Sequence, residues 1–172
     1  AHCIPARNFL LATGPFPRRP PDVPIDHEHI FDSDSILSVM YLPESLIVLG
    51  GGVIASEYAS IFAALGVKVT MIDKYPRPLG FLDSDLTNSF VNAFEANGGK
   101  WMGNTKTENV YWDGVSQVVV ECEGGATVKA DRLLCAAGRL ASVQDLHIEN
   151  AGLQLNERGL ISVDENLCTS VP

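Results

Sequence analysis

The stretch that decides the fold reads LIVLGGGVIASEYASIFAALGVKVTMID and occupies residues 46–73. Its first four residues are apolar, as in a strand that is buried on both faces of a parallel sheet. Glycines follow at 50–52, and from Val53 the apolar residues recur at helical spacing until another glycine ends the helix. A second apolar strand, over 67–72, ends at Asp73. The pattern predicts a βαβ unit, because two parallel strands need a crossover of about this length.

The glycine turn has the spacing of a phosphate-binding turn. Gly50 permits a tight turn out of the strand, Gly52 lets a pyrophosphate approach the backbone, and Ala55 allows the helix to pack closely on the sheet. The N–H groups of the first helical turn and the positive end of the helix then face the phosphates. The predicted binding turn consists of Gly50, Gly51, Gly52, Val53, Ile54 and Ala55. The alternative is a glycine turn that serves packing alone.

Asp73 predicts which dinucleotide the turn binds. It ends the second strand, 23 positions after Gly50, where an acidic residue hydrogen-bonds the hydroxyls of the adenosine ribose. A carboxylate there attracts a 2′-hydroxyl and repels a 2′-phosphate, so NAD(H) is favoured over NADP(H). Lys74 and Arg77 follow closely, and we expect them either to soften that repulsion or to be solvated in the loop.

The chain after the βαβ unit predicts how the sheet continues. A helix is expected over residues 84–97, and a buried strand over 133–137 ends in Gly138-Arg139. Between them, hairpin turns at Asp113-Gly114 and Gly124-Gly125 separate strand-like runs at 107–112, 116–122 and 126–130. These runs predict an antiparallel β-meander. The expected fold is α/β, a Rossmann-like parallel sheet with crossover helices and an inserted antiparallel β-meander.

The flanks of this region carry further signals. Residues 8–13 form an apolar run that predicts a buried strand. Residues 15–29 contain five prolines and predict a linker that crosses the surface. A short helix is expected over 36–40 behind an N-cap in 32–35, and another strand over 160–163.

Composition limits the function classes. Hydrophobic residues make up 46% of the chain and charged residues 19%, as in a soluble globular protein. The formal net charge of −9 argues against a nucleic-acid partner, which needs clustered Lys and Arg. No apolar run approaches the roughly 20 residues that span a bilayer, and the first residues do not resemble a secretory signal. We therefore expect a cytoplasmic protein without a membrane partner.

Neither a metal site nor a disulfide framework is indicated. The cysteines are Cys3, Cys122, Cys135 and Cys168, which are widely spaced and form no C-x-x-C pair. We expect buried or idle thiols in a reducing compartment. His27 and His29 lie in the proline-rich segment without an acidic or thiol partner at metal spacing, and we expect both to be solvated.

Three short motifs follow one another along the chain. They are Ala12-Thr13-Gly14, the run GGGVIASE at residues 50–57, and Ala136-Ala137-Gly138-Arg139. Their order resembles that in the two-dinucleotide flavoprotein oxidoreductases, and the resemblance covers essentially the whole chain. It implies an FAD/NAD(P)-binding fold and an FAD enzyme in which NAD(P)H delivers a hydride to the flavin.

The resemblance implies roles for residues outside the glycine turn. Glu57 is expected on the nicotinamide side of the site, near the flavin ring. Thr13 and Gly14 are expected to mark a crossover into the nucleotide domain, close to FAD. Gly138 and Arg139 are expected where the chain returns from that domain.

The resemblance also implies what this sequence lacks. The family's flavin-binding G-x-G-x-x-G, its redox dithiol C-x-x-x-x-C and the histidine–glutamate pair of its C-terminal dimerisation domain are missing. We therefore expect the middle piece of a longer homodimeric enzyme, inactive by itself. Residues 26–139 are expected to be the NAD(P)-binding domain, and residues 1–25 and 140–172 to be remnants of the FAD domain.

The activity of the parent enzyme has one leading hypothesis and two alternatives. Residues 31–38 and 57–62 resemble most the members that move hydride between NADPH and NAD through FAD. Mixed specificity signals fit that activity, since Ala55 resembles the NADP-dependent members and Asp73 the NAD-dependent ones. The first alternative is a dihydrolipoamide dehydrogenase or related disulfide reductase. The second is a stand-alone NAD-binding or sensing module without redox chemistry.

Overall fold

The computed structural model describes residues 4–171 and contains a five-stranded parallel sheet. The strands are β1 (Pro15–Pro17), β2 (Ile30–Asp32), β3 (Ser45–Leu49), β4 (Lys68–Ile72), β5 (Lys100–Met102), β6 (Thr107–Trp112), β7 (Val118–Cys122), β8 (Thr127–Ala130), β9 (Arg132–Cys135) and β10 (Arg139–Ala141). The helices are α1 (Val53–Ala64) and α2 (Ser84–Ala96), with 3₁₀ turns at Ser35–Ser38, Gln144–Leu146 and Ile148–Ala151. The parallel sheet has the order β2-β9-β3-β4-β5.

Contacts within the chain define two compact units. One runs from Pro17 to Gly138 and contains the parallel sheet, both α-helices and the three-stranded β6-β7-β8 sheet. The other combines the residues up to Phe16 with those from Arg139 onward. The division into an NAD(P)-binding domain at residues 26–139 and FAD-domain remnants at 1–25 and 140–172 stays a prediction from the sequence.

The parallel sheet has a core on each face, because successive side chains of a strand point to opposite sides. Leu46 and Val48 of β3 pack in a cluster with residues of α1 and α2. Ile47 and Leu49 pack in a second cluster with residues of the meander. Burial of each such side chain contributes about 1.5–3 kcal/mol. The predicted α/β fold, with its crossover helices and antiparallel meander, is confirmed.

Helix α1 packs on the sheet through its small side chains. Ala55, Ala59 and Ala63 are buried, which lets the helix backbone approach the strands closely. The larger apolar side chains differ in burial, since Phe62 is buried whereas Ile61 and Leu65 are exposed. The helix therefore presents apolar residues to solvent as well as to the core.

Two predicted strands are wrong. Residues 8–13 form no strand and are exposed, and the side chain of Leu10 is 92% accessible. A strand needs a neighbour for its N–H and C=O groups, and no strand within residues 4–171 pairs with this run. Residues 160–163 contribute only an isolated bridge between Leu155 and Ile161. The proline-rich segment is irregular except at β1, which pairs with β10.

The predicted short helix over residues 36–40 is a single 3₁₀ turn at Ser35–Ser38. The capping side chain comes from residues 32–35 as expected, but it is not that of Asp34, which makes no capping hydrogen bond. Instead Asp32, at the end of β2, accepts the N–H groups of Asp34 and Ser35. The carboxylate of Asp32 is 1% exposed and also accepts from Arg19, whose guanidinium nitrogens lie 3.0 and 2.8 Å from Oδ2. This pair ties the proline-rich segment to the sheet.

Within residues 4–171, none of the helices has the length and apolar character that crossing a bilayer requires.

Replacing Asp32 with Asn should destabilise the chain relative to the wild type. This loss of stability should be larger at neutral pH than in acid. Burial opposes ionisation of Asp32, but bonds from Ser35, Arg19 and Asp34 outweigh it and hold its pKa below the usual 3.8. A lowered folded-state pKa contributes stability above 3.8 that is lost as the pH falls through the folded value. We expect Asp32→Asn to cost about 1–3 kcal/mol at pH 7, and the cost to shrink in acid.

Urea unfolding of both proteins across a pH series measures that difference. Asp26 and Asp113, whose pKa values are also lowered, are present in both proteins and cancel. A cost that stays constant from neutral to acidic pH would contradict the role given to the Asp32 carboxylate.

Candidate dinucleotide site

Gly50 makes the tight turn at the end of β3. Its φ of +122° lies in the region that only glycine adopts readily. Its N–H donates to the carbonyl of Ile72 at 2.9 Å. A Cβ at this position would lie 2.7 Å from the carbonyl oxygen of Ala136 and 3.7 Å from the Cβ of Ala55. Glycine is therefore required here by the backbone, and the contact also brings α1 close to the sheet.

Gly52 differs from Gly50, because the space where a side chain would begin is open. It is the N-cap of α1, with an ordinary φ of −81°, and no atom lies within 4 Å of the position of a Cβ. The first intrahelical bond runs from the N–H of Ser56 to the carbonyl of Gly52. The N–H groups before Ser56, including those of Val53 and Ile54, thus have no partner within the helix. This end of α1 combines unpaired donors with open space.

Asp73 lies beside the same turn. The loop holds its backbone, since its N–H donates to Met102 at 3.1 Å and its carbonyl accepts from Thr105 at 2.9 Å. Its Oδ1 accepts the N–H of Tyr75 at 2.9 Å. Its Oδ2 is directed at the turn, because a Cβ on Gly51 would lie 3.1 Å from it. One carboxylate oxygen is thus used to hold the loop, and the other faces the glycine turn.

A cavity of about 480 Å³ joins these groups. Its lining residues are Gly51, Gly52, Asp73, Tyr75, Pro76, Arg77, Leu79, Gly80 and Phe81. The volume falls in the range of small-molecule sites, roughly 300–1,000 Å³. Gly52 and Asp73 are therefore brought together as the spacing predicts, with Gly50 and Ala55 supporting the turn from beneath.

The loop after Asp73, which the sequence predicts, closes the cavity with residues from 75–81, a role in the site that was not predicted. Its backbone is fastened to the glycine turn by the N–H of Leu79, which donates to Gly51 at 2.7 Å. On the other side, the indole N–H of Trp101 donates to Pro76 at 3.2 Å and the N–H of Asn104 donates to Tyr75 at 3.1 Å. The short strand β5, which carries Trp101, was also not predicted. The apolar pair Trp101-Met102, following the two glycines after α2, was the available signal.

The two cations after Asp73 have different surroundings. Arg77 lines the cavity. Lys74 does not, and its Nζ lies over the ring of Tyr75, 5.1 Å from the centroid. Of the two, Arg77 is therefore placed to meet an anionic ligand in the cavity.

The remaining predicted site residues do not line this cavity. Glu57 is exposed on α1. Gly138 has a φ of +106° and accepts the N–H of Arg18 at 2.9 Å. Thr13, Gly14 and Arg139 belong to the other compact unit. In that unit Gly14 accepts the N–H of Ser142 at 2.9 Å, and Arg139 donates to the carbonyl of Pro15 at 2.8 Å.

The thiols and histidines take structural positions. Cys122 and Cys135 are free and buried, and burial raises the pKa of both thiols, while Cys168 is free and exposed. Cys3 lies outside the described residues. The ring of His29 stacks on Trp112 with centroids 3.7 Å apart, and its Nδ1 is 3.2 Å from Asp26. His29 is thus half-buried rather than solvated, whereas His27 is exposed.

Comparison with known protein families matches residues 2–172 to the family described as pyridine nucleotide-disulphide oxidoreductase. The chain belongs to this family. Membership confirms the family that the three motifs indicated, and it makes the chain part of an oxidoreductase lineage that uses FAD and a nicotinamide dinucleotide.

Curated relatives of this chain include soluble pyridine nucleotide transhydrogenases. Those of Chromohalobacter salexigens and Pseudomonas fluorescens are each 42% identical, over 167 and 168 residues. Each alignment covers 97% of this chain but 36% of the relative. The chain thus spans about a third of the length of the relatives that it matches.

Solved structures give the same fold, and one of them has another activity in its name. The HOCl-induced flavoprotein disulfide reductase RclA from Escherichia coli, as its Cu(II) complex, superposes with a TM-score of 0.85 at 35% identity. That superposition covers 93% of this chain and 36% of RclA. LpdA from Mycobacterium tuberculosis also gives 0.85, at 28% identity, covering 92% of this chain and 34% of LpdA.

Alanine at Gly50 and alanine at Gly52 should affect stability very differently. At Gly50 an alanine combines a positive φ with a 2.7 Å approach to a backbone carbonyl, so we expect a loss of about 2 kcal/mol or more. At Gly52 an alanine meets no atom and adopts an ordinary φ, so we expect a change within about 1 kcal/mol. Chemical denaturation of both variants measures this. Equal destabilisation would contradict the separate tasks assigned to the two glycines.

Proposed function

We propose that this chain binds a nicotinamide dinucleotide in the cavity beside the glycine turn, as the NAD(P)-binding domain of a flavoprotein oxidoreductase. The observation that carries the proposal is the pairing of open space at Gly52 with the carboxylate of Asp73 on one cavity. An open helix N-terminus suits a pyrophosphate, and a carboxylate at the end of the next strand suits a ribose diol. Packing alone explains why Gly50 is glycine, but it does not explain why Gly52 is.

Each part of the site would meet a different part of the ligand. The N–H groups at the start of α1, between Gly51 and Ala55, would hold the pyrophosphate. Oδ2 of Asp73 would accept from the adenosine ribose, while Tyr75 keeps Oδ1 in place. When bound, the reduced dinucleotide supplies a hydride. The residues of this chain bind and orient it, and they move no proton themselves.

The site favours NAD(H) over NADP(H) in this proposal. A 2′-phosphate at the ribose would be placed against the Asp73 carboxylate and repelled by it. Arg77 lines the same cavity and can offset that repulsion in part, whereas Lys74 is directed at the Tyr75 ring. The preference should therefore be graded rather than absolute.

For the whole protein we favour a soluble transhydrogenase that moves hydride between NADPH and NAD through FAD. The support is the 42% identity to proteins of that name over 97% of the chain, together with a site that carries both Asp73 and Arg77. The alternative is a disulfide reductase. It draws on the structural likeness to the flavoprotein disulfide reductase RclA at 35% identity.

FAD would be bound mainly by the rest of the parent protein. Thr13, Gly14, Gly138 and Arg139 would lie at the junction with its FAD domain, and Glu57 on the nicotinamide side of the site. Hydride transfer requires donor and acceptor at near-contact distance. The 172-residue chain alone is therefore proposed to bind the dinucleotide without turning it over.

Calorimetric titration of the 172-residue chain with NADH and NADPH tests the site. We expect tighter binding of NADH, and NADH binding that is weaker by about ten- to hundredfold after Asp73→Ala, because hydrogen bonds to charged groups contribute about 1.5–3 kcal/mol. Asp73→Asn is the matched control, since its amide keeps an acceptor for Tyr75 but lacks the charge. Asp73→Asn should bring the affinities for NADH and NADPH closer together. Equal NADH affinity in all three proteins would refute the assignment of Asp73.

Gly52→Ala separates ligand binding from folding in the same titration. Its Cβ occupies the space offered to the pyrophosphate, so we expect at least a tenfold loss of affinity for both nucleotides. Far-UV circular dichroism and the melting temperature should stay close to those of the wild type. Retained affinity in a folded Gly52→Ala protein would mean that the turn serves packing alone.

The activity of the full-length parent distinguishes the two candidate enzymes. A transhydrogenase reduces a thio-NAD analogue with NADPH, and its sequence before this chain needs no C-x-x-x-x-C dithiol. We expect that reduction to proceed with purified, FAD-loaded parent. Absence of the activity, together with NADH-dependent reduction of a disulfide, would establish the alternative.

A further inference from the structure

Trp101 contacts both sides of the candidate cavity from outside its lining. Its indole N–H donates to the carbonyl of Pro76, in the loop, at 3.2 Å. The far corner of the same ring, Cη2, would lie 3.0 Å from a Cβ on Gly51, in the glycine turn. A single rigid ring therefore spans from the turn to the loop.

The turn after β5 is shaped to permit this contact. A Cβ on Gly103 would lie 2.6 Å from the carbonyl oxygen of Pro76 and 2.7 Å from Nε1 of Trp101. Glycine at this position thus leaves room for the indole–carbonyl hydrogen bond. The next two residues also bind the loop, since Asn104 donates to Tyr75 and Thr105 donates to Asp73.

The sheet and the core hold Trp101 in place. Strand β5 pairs in parallel with β4, with Trp101 opposite Met71, and the side chain packs against the core cluster on the helix side of the sheet. The sheet therefore fixes the position of Pro76 relative to Gly51, because it holds the ring that contacts both. Gly51, which the ring approaches, is also the residue whose carbonyl accepts the N–H of Leu79.

We propose that Trp101 is a positioning residue for dinucleotide binding. It holds the loop at a set distance from the glycine turn, so that Asp73 and the loop residues meet the ligand without first paying the entropy of ordering. The inference rests on the proposed function, because it assigns Trp101 to the same cavity. It acts through Pro76 and Gly51 and requires no contact between the indole and the ligand.

The test compares Trp101→Phe with Trp112→Phe, which is a matched control. Phe keeps an aromatic ring in the core but has no N–H for Pro76 and does not reach the turn. Trp112 stacks on His29 and packs in the meander-side cluster, outside the residues that line the cavity. By calorimetry, NADH should bind about three- to tenfold more weakly to Trp101→Phe, as expected for one lost hydrogen bond. Trp112→Phe should bind NADH as the wild type does.

Hydrogen exchange without nucleotide distinguishes a local effect on the loop from general destabilisation of the fold. In Trp101→Phe the amides of Leu79 and Asn104 should exchange faster, while those of β3 keep wild-type protection. Gly103→Ala is a second route to the same state, because its Cβ would crowd both the Pro76 carbonyl and the indole nitrogen and separate them without removing the ring. It should reproduce both the weaker binding and the faster exchange.

The outcomes separate this inference from the proposed function. If the wild-type chain binds NADH and both Trp101→Phe and Gly103→Ala bind it with the same affinity, the role of Trp101 is overturned. The proposed function is unaffected by that result. A uniform rise in exchange across the sheet would also overturn the role of Trp101, because the ring would then serve stability only. Failure of the wild-type chain to bind either nucleotide would overturn the proposed function and, with it, this role in binding.

Discussion

The contact between Gly50 and the carbonyl of Ala136 is the constraint on which the rest of the structure depends. The two residues follow β3 and β9, which are neighbours in the sheet, and the N–H of Ala136 donates to Leu49 at 2.9 Å. Where the chain leaves β3, the space beside Ala136 has room for the backbone of residue 50 but not for a Cβ. This turn determines where α1 begins, and the small side chain of Ala55 lets the helix pack on the sheet. Gly52 is left on the open side as a consequence.

The predictions that were confirmed rest on local signals. The apolar run before Gly50, the helical spacing after Val53 and the Asp-Gly and Gly-Gly hairpins each determine a conformation within a few residues. Gly52 and Asp73 lie on one cavity because the carboxyl ends of adjacent parallel strands meet at one edge of the sheet. That much of the site follows from the order of strand, turn, helix and strand.

The predictions that were wrong or missing depend on distant partners. Residues 8–13 are apolar enough for a strand, but no described strand takes their hydrogen bonds. The loop after Asp73 gives no periodic signal, since backbone bonds to Gly51 and Asn104 shape it. β5 is three residues long and becomes a strand by pairing with β4. Trp101 therefore could not be recognised as part of the site from its neighbours in sequence.

In the proposed site, the binding groups meet the adenosine half of the dinucleotide, whereas hydride leaves from the nicotinamide half. Binding energy from the part of a substrate that does not react can be used to orient the part that does. Such a division lets one nucleotide-binding unit serve different acceptors. Relatives named as transhydrogenases and a solved structure named as a disulfide reductase match this chain at 42% and 35% identity.

The exposed apolar run near the start of the chain has a consequence for its behaviour in solution. Phe9 and Leu10 present large apolar surfaces to water, while the formal charge of −9 keeps copies of the chain apart. Charge repulsion extends about 10 Å at 0.1 M salt and about 3 Å at 1 M, whereas apolar attraction is not weakened by salt. We therefore expect the 172-residue chain to stay dispersed best at low ionic strength, where its charge opposes contact between the exposed apolar side chains of residues 8–13.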